Sequence, residues 1–341
     1  IGLAFGQAKA ASKTTVIVAS SVDANPQNYT NVFYNKFIEL AQQYSDNAFD
    51  FQFFPSMQLG DEQETVRALQ LGTLQMSMLA TNNYAPFAPS CGWVNMPYMF
   101  DSLEEFRALV DAMWDQNNEW AIKEGGCRLL CILDIGYRQL TTSAKHPVRK
   151  LADAKGIKIR TPQNALMVST FKALGLEPTA VSFAETFNAL QQGVVDGQEN
   201  PTNGINIPLK IWDYHKFHCD WHYIIDPLML GVNPRVWKSF SPEDQKLLLE
   251  CAAETEKYGK ALSRLGMDDG SALAYLKSIN KLPETTDCYA VMEANGMTVS
   301  RLSNEQIAAL AKATEGVRKD WTAKIGADLV KAAEEDMASV R

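Results

Sequence analysis

The chain has 341 residues, of which 46% are hydrophobic and 21% are charged. This length is typical of two domains, and the composition excludes a disordered or fibrous chain. The formal net charge of −8, without a basic stripe that carries interleaved aromatic residues, argues against a nucleic-acid-binding protein.

The N-terminal segment resembles the end of a secretory signal peptide. Residues 1–10 run from an apolar stretch into Ala8-Lys9-Ala10, the small-x-small pattern that signal peptidase accepts. We therefore expect residues 1–10 to be the residual end of such a peptide on an exported, periplasmic protein, with an Ala-rich helix start as the alternative. No later stretch has the ~18 uninterrupted apolar residues of a membrane span, so a soluble mature chain is expected.

The first half of the chain alternates between strand and helix patterns. Strands are predicted from β-branched or alternating apolar residues at 14–20, 49–54, 74–80 and 127–133. Helices are predicted over 31–44, from Asp61 to Gly72, and after a capping box at 102–105. The third strand opens into the polar segment 81–84, and α/β proteins bind ligands in loops at such strand ends.

The second half repeats this alternation. We predict a strand at 156–160, followed by a helix that Thr161 caps, Pro162 begins and Gly175 ends. A capping box at 182–185 opens a helix over 186–192, and a short strand edge follows at 194–195.

A long helical pattern begins at Ser241 and runs through about Leu276. A helix of about 35 residues spans roughly 50 Å at 1.5 Å per residue, which is long enough to brace two domains. A cap at 303–306 then begins the last predicted helix. Because strands and helices alternate throughout, we predict α/β sheets in two similar halves joined by crossing strands.

Cysteine and histidine spacings give little support to a metal or redox site. The six cysteines form no Cys-x-x-Cys pair, so buried free thiols are expected for most of them, although one or two disulfides suit an oxidising compartment. His215, His218 and His222 lie within eight residues, but their spacing is not that of a zinc hydrolase. Neither glycine-rich phosphate loop occurs, so we expect no metal, no nucleotide and no other cofactor.

Two segments carry a more specific signal. One is FPSMQLGD at 54–61, and the other is GIKIRTP at 156–162, continued by AETFNALQQGVVDGQENP at 184–201. Together they resemble the substrate-binding subunit of tripartite ATP-independent periplasmic (TRAP) transporters of the DctP-like family. The similarity extends over roughly 14–331, and the second segment is highly specific.

The resemblance implies an α/β periplasmic-binding-protein fold of type II-like architecture. In such a fold, two α/β domains enclose a ligand cleft and a long helix braces both. We expect domain I to comprise 11–137 and 222–265, and domain II to comprise 138–221 and 266–341.

The resemblance also implies which residues bind the ligand. Arg160 is expected to make a bidentate salt bridge to a ligand carboxylate, which suits the planar fork of guanidinium donors. Arg138 is expected as a second arginine of the site, with pairing to an interdomain acid as the alternative. Asn200 is expected to hydrogen-bond the same carboxylate. From the residues alone, Arg160 also fits a surface arginine and Asn200 a turn residue before Pro201.

Four further residues are candidates for the site. Asn82 and Asn83 lie in the polar loop after the third strand, although a purely structural loop is the alternative. Phe183 is expected either as an apolar wall for the ligand or as a core residue. His222 is expected to face the cleft, as the resemblance implies for the strand that returns to the first domain.

The expected function is capture of a small organic acid and its delivery to a membrane permease, by a monomeric protein that is not an enzyme. A sugar acid such as a hexuronate is the first candidate, because asparagines suit hydroxyl groups. Sialic acid is less expected, since segment 81–83 lacks the charged side chains of such relatives. A periplasmic hydrolase and a sensor or receptor for another system are the alternatives, but no Gly-x-Ser-x-Gly motif supports the hydrolase.

Overall fold

The structure is a computed structural model that describes residues 14–19, 28–265, 270–279, 287–326 and 330–331. The predicted signal-peptide remnant, 1–10, lies outside these residues. The described strands are β1 (Thr14–Ala19), β2 (Phe49–Phe54), β3 (Met76–Ala80), β4 (Arg128–Thr142), β5 (Lys158–Thr161), β6 (Glu177–Ala180), β7 (Gly197–Pro201), β8 (Phe217–Asp220), β9 (Ile225–Val232) and β10 (Thr298–Arg301).

Helices separate most of these strands. They are α1 (Tyr29–Tyr44), α2 (Glu62–Leu71), α3 (Thr81–Tyr84), α4 (Leu103–Ala112), α5 (Trp114–Gly125), α6 (Ala165–Ala173), α7 (Phe183–Gln191), α8 (Pro234–Ser239), α9 (Pro242–Arg264), α10 (Ser271–Ser278), α11 (Cys288–Ala294), α12 (Asn304–Ala313) and α13 (Glu315–Ile325). The alternation of strands and helices therefore agrees with the predicted α/β class.

Strand β4 joins two groups of strands. The strand order is β2-β1-β3-β9-β4-β7-β5-β6, and β8 pairs with both β4 and β10. The first part of β4 runs antiparallel to β9, whereas its second part runs antiparallel to β7 and β8. The strands β1, β2 and β3 are parallel to one another, as are β5, β6 and β7. Two parallel groups joined by a crossing strand match the prediction of two α/β halves.

A bulge marks the point at which β4 changes partners. The pairing of β4 with β9 shifts register between Asp134 and Tyr137. Gly136 lies within the bulge with φ of 92°, a left-handed conformation that glycine adopts without strain. Arg138 is then the first residue of β4 that pairs with β7. The expected domain boundary at 137/138 falls here, and the domain limits themselves stay a prediction.

Helices cover both faces of the first group of strands. Along β9, Leu228, Leu230 and Val232 pack into one apolar cluster with α1 and α9, whereas Ile225 and Met229 pack into another with α4 and α5. Opposite faces are used because successive side chains of a strand point to opposite sides of the sheet. A third cluster fills the second half. The polar ends of the strands between these cores are where the cleft forms.

The long bracing helix is shorter than predicted. Helix α9 is capped by Ser241, as expected, but it ends at Arg264, and α10 is a separate helix that begins at Ser271. The segment between them contains Gly266 and Gly270, and Gly270 has φ of 95°. Glycine favours helix ends over helix interiors. The prediction of one continuous helix through Leu276 is therefore wrong.

Some of the predicted helix ends are confirmed and others are wrong. The predicted ends of α2 are confirmed: Asp61 is its N-cap, where the structure shows a capping box with Glu64, and Gly72 ends it in a left-handed conformation. The predicted cap of α6 is wrong, because Thr161 stays in β5 and Asn164 accepts the N–H groups of Leu166 and Met167 instead.

Four smaller predictions also need correction. Ser182 accepts no helix N–H, and its hydroxyl donates to Glu185 at 2.8 Å, so 182–185 is not a capping box. Ser102 does cap α4, but the Glu105 carboxylate accepts the N–H of Asp101 rather than completing a box. The predicted strand edge at 194–195 lies in a turn, and the strand begins at Gly197. The 303–306 capping box is present, but α13 follows the helix that it begins.

All six cysteines are buried free thiols. Burial raises the pKa of each thiol, for example that of Cys127 to about 12. A thiol with a raised pKa is a poor nucleophile, so these cysteines act as core residues. This agrees with the expectation of buried free thiols.

The contact between Gly231 and Cys127 gives a test of this core. A Cβ added at Gly231 would lie 2.1 Å from the Cys127 Sγ, whereas the next atoms are 3.6 Å away. We expect Gly231→Ala to lower the free energy of unfolding by about 1–3 kcal/mol through overpacking. In a Cys127→Ala background most of this loss is expected to disappear, because the clash is with a single sulfur atom.

Urea unfolding of the two single variants and the double variant measures this coupling as a double-mutant cycle. Additive losses in the cycle would show that the Gly231 backbone, rather than the sulfur contact, limits this position.

Candidate ligand-binding cleft

A cavity lies at the ends of the strands, between the two halves of the chain. The space between protein atoms here is about 490 Å³, including its opening to solvent. The lining residues come from both halves and are Thr30, Glu62, Met78, Leu79, Ala80, Asn82, Asn83, Ile135, Arg138, Arg160, Pro162, Phe183, Asn200, Ile205, Asp226 and Leu228.

Six of the seven predicted site residues line this cavity. Asn82 and Asn83 lie in α3, directly after β3, and Arg160 and Asn200 lie near the ends of β5 and β7. The ends of parallel strands meet at one edge of a sheet, which is why residues distant in sequence come together here.

Arg160 is buried, with 2% of its surface exposed, yet it forms no ion pair within the described residues. Its Nε donates to the carbonyl oxygen of Val181 at 2.9 Å, and its guanidinium lies 5.9 Å from the centroid of the Phe183 ring. Burial lowers the pKa of Arg160 to about 10, while Glu62 opposes this change. The group is therefore charged at neutral pH, with two Nη donors that no described residue engages.

Arg138 lies in a different environment. Its guanidinium pairs with the carboxylates of Glu199 and Asp226, and Nη1 lies 2.7 Å from an Asp226 oxygen. Nη2 donates to the Glu199 carbonyl at 2.7 Å and to the Asn200 side-chain oxygen at 3.0 Å. Burial alone would lower the pKa of Arg138, but the two carboxylates raise it well above its usual value. Arg138 thus adopts the alternative arrangement, pairing with buried acids, and its direct contact with a ligand stays a prediction.

The acids around Arg138 are held by further hydrogen bonds. The Tyr223 hydroxyl donates to Glu199 at 2.6 Å, and the Asn82 amide donates to Asp226 at 3.2 Å. Burial raises the pKa of Asp226, with Arg138 opposing the rise. A buried ion pair is tolerated when hydrogen bonds satisfy its remaining atoms, as they do here.

The side-chain amides of Asn200 and Asn82 form hydrogen bonds at the cavity wall. Asn200 accepts from Arg138 and donates to the Gln198 side chain. The Oδ1 of Asn82 is buried without a hydrogen-bond partner among the described residues. Asn83 is half-buried at the same wall. Whether these amides contact a ligand stays a prediction.

Direct hydrogen bonds cross the cleft. Glu62, the first residue of α2, accepts the N–H of Phe183 at 3.1 Å, so a carboxylate of the first half lies at the N-terminus of α7 in the second. Asn164 donates to the carbonyl of Asn82 at 2.6 Å. Burial raises the pKa of Glu62, with Arg160 as the main opposing influence. The cavity is therefore closed by contacts between the two halves.

His222 is not among the residues that line the cavity, and its place in the site stays a prediction. It adopts φ of 50° and its ring stacks on Tyr137, with centroids 4.7 Å apart. This left-handed turn before β9 directs the ring to Tyr137. His215 contacts Thr141 and His218 contacts Asp220. Within the described ranges no three potential ligands are grouped to hold a metal ion.

Three acids of the site were not predicted from the sequence. Glu199 directly precedes Asn200, and Asp226 interrupts the otherwise apolar β9, so a charge in a buried strand was an available signal. Glu62 follows the N-cap of α2, a position where an acid is usually explained by the helix dipole.

Comparison with known proteins is consistent with this geometry. The family model for bacterial extracellular solute-binding protein, family 7 (DctP), matches residues 19–269. The chain belongs to the DctP family of solute-binding proteins.

Proteins of known name and structure extend this result. The 2,3-diketo-L-gulonate-binding periplasmic protein of Escherichia coli is 27% identical over 257 residues, which cover 74% of this chain and 78% of that relative. A TRAP periplasmic solute-binding protein of Ralstonia eutropha, with bound (S)-2-acetolactate, is 27% identical with a TM-score of 0.84, covering 95% of this chain and 99% of that one. Another from Polaromonas sp., bound to D-erythronate, is 25% identical with a TM-score of 0.79, covering 94% and 98%.

This DctP-family protein therefore has the two-domain periplasmic-binding fold and is a TRAP-type periplasmic solute-binding protein. It is not an enzyme, so the hydrolase alternative is set aside. No helix in the described part of the chain is long and apolar enough to cross a membrane.

Proposed function

We propose that this DctP-family protein captures a small sugar acid, with a hexuronate as the first candidate, and delivers it to the permease of a TRAP transporter. The observation that carries the proposal is Arg160, a buried cation at the cavity wall with two Nη donors that no described acid engages. A planar guanidinium binds a carboxylate through two parallel hydrogen bonds.

Further features of the cavity support a hydroxylated carbon skeleton. The Asn82 Oδ1 is a buried acceptor without a partner among the described residues, and Asn83 and Thr30 add polar groups to the wall. Phe183 and Ile205 provide apolar surface for the carbon atoms. The E. coli and Polaromonas relatives are named for, or bound to, sugar-derived acids, which supports the same ligand class here.

The proposed cycle is a hinge closure. An open cleft admits the acid, Arg160 attracts its carboxylate, and closure forms the contacts of Glu62 with Phe183 and of Asn164 with Asn82. The closed, monomeric protein then docks on membrane permease subunits, which use an ion gradient rather than a nucleotide. The family and the contacts across the cleft support these steps.

A thermal-shift screen tests the ligand class. We expect hexuronates or aldonates to raise the melting temperature by several degrees, because ligand at 100 times Kd adds about 2.7 kcal/mol to stability. The methyl ester of the same acid is the matched control, since it removes the negative charge and adds only a methyl group. Equal shifts with acid and ester, or no shift with any sugar acid, would contradict the proposal.

A further inference from the structure

We infer that Glu62 restricts the ligand to monocarboxylates whose far end is neutral and carries hydroxyl groups. This inference rests on the proposed function, and it specifies which sugar acids the site accepts. It concerns Glu62, Arg160 and the charges that surround the cavity.

Glu62 is a fixed, buried carboxylate at the cavity wall. It is 6% exposed, and its Oε1 accepts the Phe183 N–H at 3.1 Å. Its Oε2 accepts no hydrogen bond from another described residue, and no described Lys or Arg lies within the 4.0 Å of an ion pair, although Arg160 is near enough to oppose the rise in the Glu62 pKa. This second oxygen is therefore available to accept a hydrogen bond from a ligand.

The charges of the cavity wall leave room for one anionic group. The lining contains two cations, Arg138 and Arg160, and two acids, Glu62 and Asp226. Arg138 is already paired with Asp226 and with Glu199 behind it. Among the described lining residues, Arg160 is thus the cation that remains for a ligand carboxylate.

A second carboxylate on the ligand would face an unfavourable environment. It would find no further unpaired cation among the described lining residues, and it would add a negative charge to a cavity that already holds Glu62. Juxtaposed like charges are strongly unfavourable when they are removed from water. A hydroxyl group, in contrast, can donate a charge-assisted hydrogen bond to the Glu62 carboxylate.

Matched pairs of sugar acids test this inference. D-Galactonate and galactarate differ only in whether C6 is a hydroxymethyl group or a carboxylate, and D-erythronate and meso-tartrate differ in the same way at C4. By titration calorimetry at pH 7.5 we expect wild type to bind the monocarboxylate of at least one pair on the order of 100-fold more tightly than its dicarboxylate, as several kcal/mol of like-charge repulsion imply.

The variant Glu62→Gln keeps the shape of the side chain and an oxygen for the Phe183 N–H, but it removes the charge. We expect it to bind the dicarboxylate about 10-fold more tightly than wild type does, and the monocarboxylate more weakly. Asp61→Asn is the matched control, because Asp61 is the adjacent N-cap and does not line the cavity. It is expected to leave the ratio of the two affinities unchanged.

The outcomes separate this inference from the proposed function. Equal binding of both members of a pair by wild type overturns the inference but leaves sugar-acid capture intact. A ratio of monocarboxylate to dicarboxylate affinity that is as large in Glu62→Gln as in wild type overturns the role of Glu62. Binding of neither member of either pair contradicts the proposed function and, with it, this inference.

Discussion

Replacing Arg160 with methionine is expected to abolish binding of acid ligands while the unliganded protein stays folded. Loss of one partner from a buried ion pair costs about 3–5 kcal/mol, which corresponds to an affinity loss of at least ~100-fold. In the unliganded protein the change removes a buried charge that no described acid pairs with within 4.0 Å, so the electrostatic loss is limited to its attraction for the Glu62 carboxylate. The loss of the Nε hydrogen bond to the Val181 carbonyl offsets part of the stability that is gained by removing the buried charge.

Urea unfolding and calorimetry measure the two effects separately. We expect the free energy of unfolding without ligand to stay within about 1 kcal/mol of wild type or to rise. The control is Arg160→Lys, which keeps a charge but loses the planar fork, and it is expected to bind with intermediate affinity. Unchanged ligand affinity in Arg160→Met would rule out the proposed salt bridge.

Replacing Arg138 with methionine is expected to have the opposite effect on the unliganded protein, namely a large loss of stability. The change leaves Glu199 and Asp226 buried without their cation. An uncompensated buried charge costs about 3–5 kcal/mol, so the variant is expected to unfold at much lower urea concentration than wild type.

The loss in Arg138→Met is expected to depend on pH. Burial already raises the pKa of Asp226, whereas Arg138 lowers it. Removal of Arg138 is therefore expected to raise the pKa of Asp226 further. A carboxyl group whose pKa is raised in the folded state is buried at little cost while it is protonated. The destabilisation that its buried charge causes therefore appears as the pH rises through the folded-state pKa. The variant should therefore lie closer to wild type at pH 5 than at pH 8.

A triple variant provides the control. Adding Glu199→Gln and Asp226→Asn to Arg138→Met removes the unpaired charges and is expected to recover part of the stability at pH 8. A triple variant as unstable as Arg138→Met would show that packing, rather than charge, sets the role of Arg138.

Local sequence determined much of the secondary structure of this protein. The cap at Asp61, the left-handed Gly72 and the cap at Ser241 were predictable because each depends on residues within one helical turn. The cap of α6 was not, because Thr161 and Asn164 are both suitable caps. The pairing of β5 with β6 holds Thr161 in the strand and decides between them.

The site shows the same division between local and distant contacts. The motif around Arg160 and Asn200 was recognisable in the sequence, and both residues line the cavity. The pairing of Arg138 with Asp226 joins residues 88 apart, and the contact of Glu62 with Phe183 joins residues 121 apart. No local pattern specifies such contacts, since they depend on which strand ends meet.

By itself, the sequence determined the α/β class, because strand and helix periodicity is a local property, and its motif around Arg160 and Asn200 indicated the family of binding proteins to which the chain belongs. Only the tertiary structure decided which arginine has no acid partner and which acid faces it. The reason is physical: whether a buried charge is paired depends on neighbours that the crossing strand β4 brings together from distant parts of the chain.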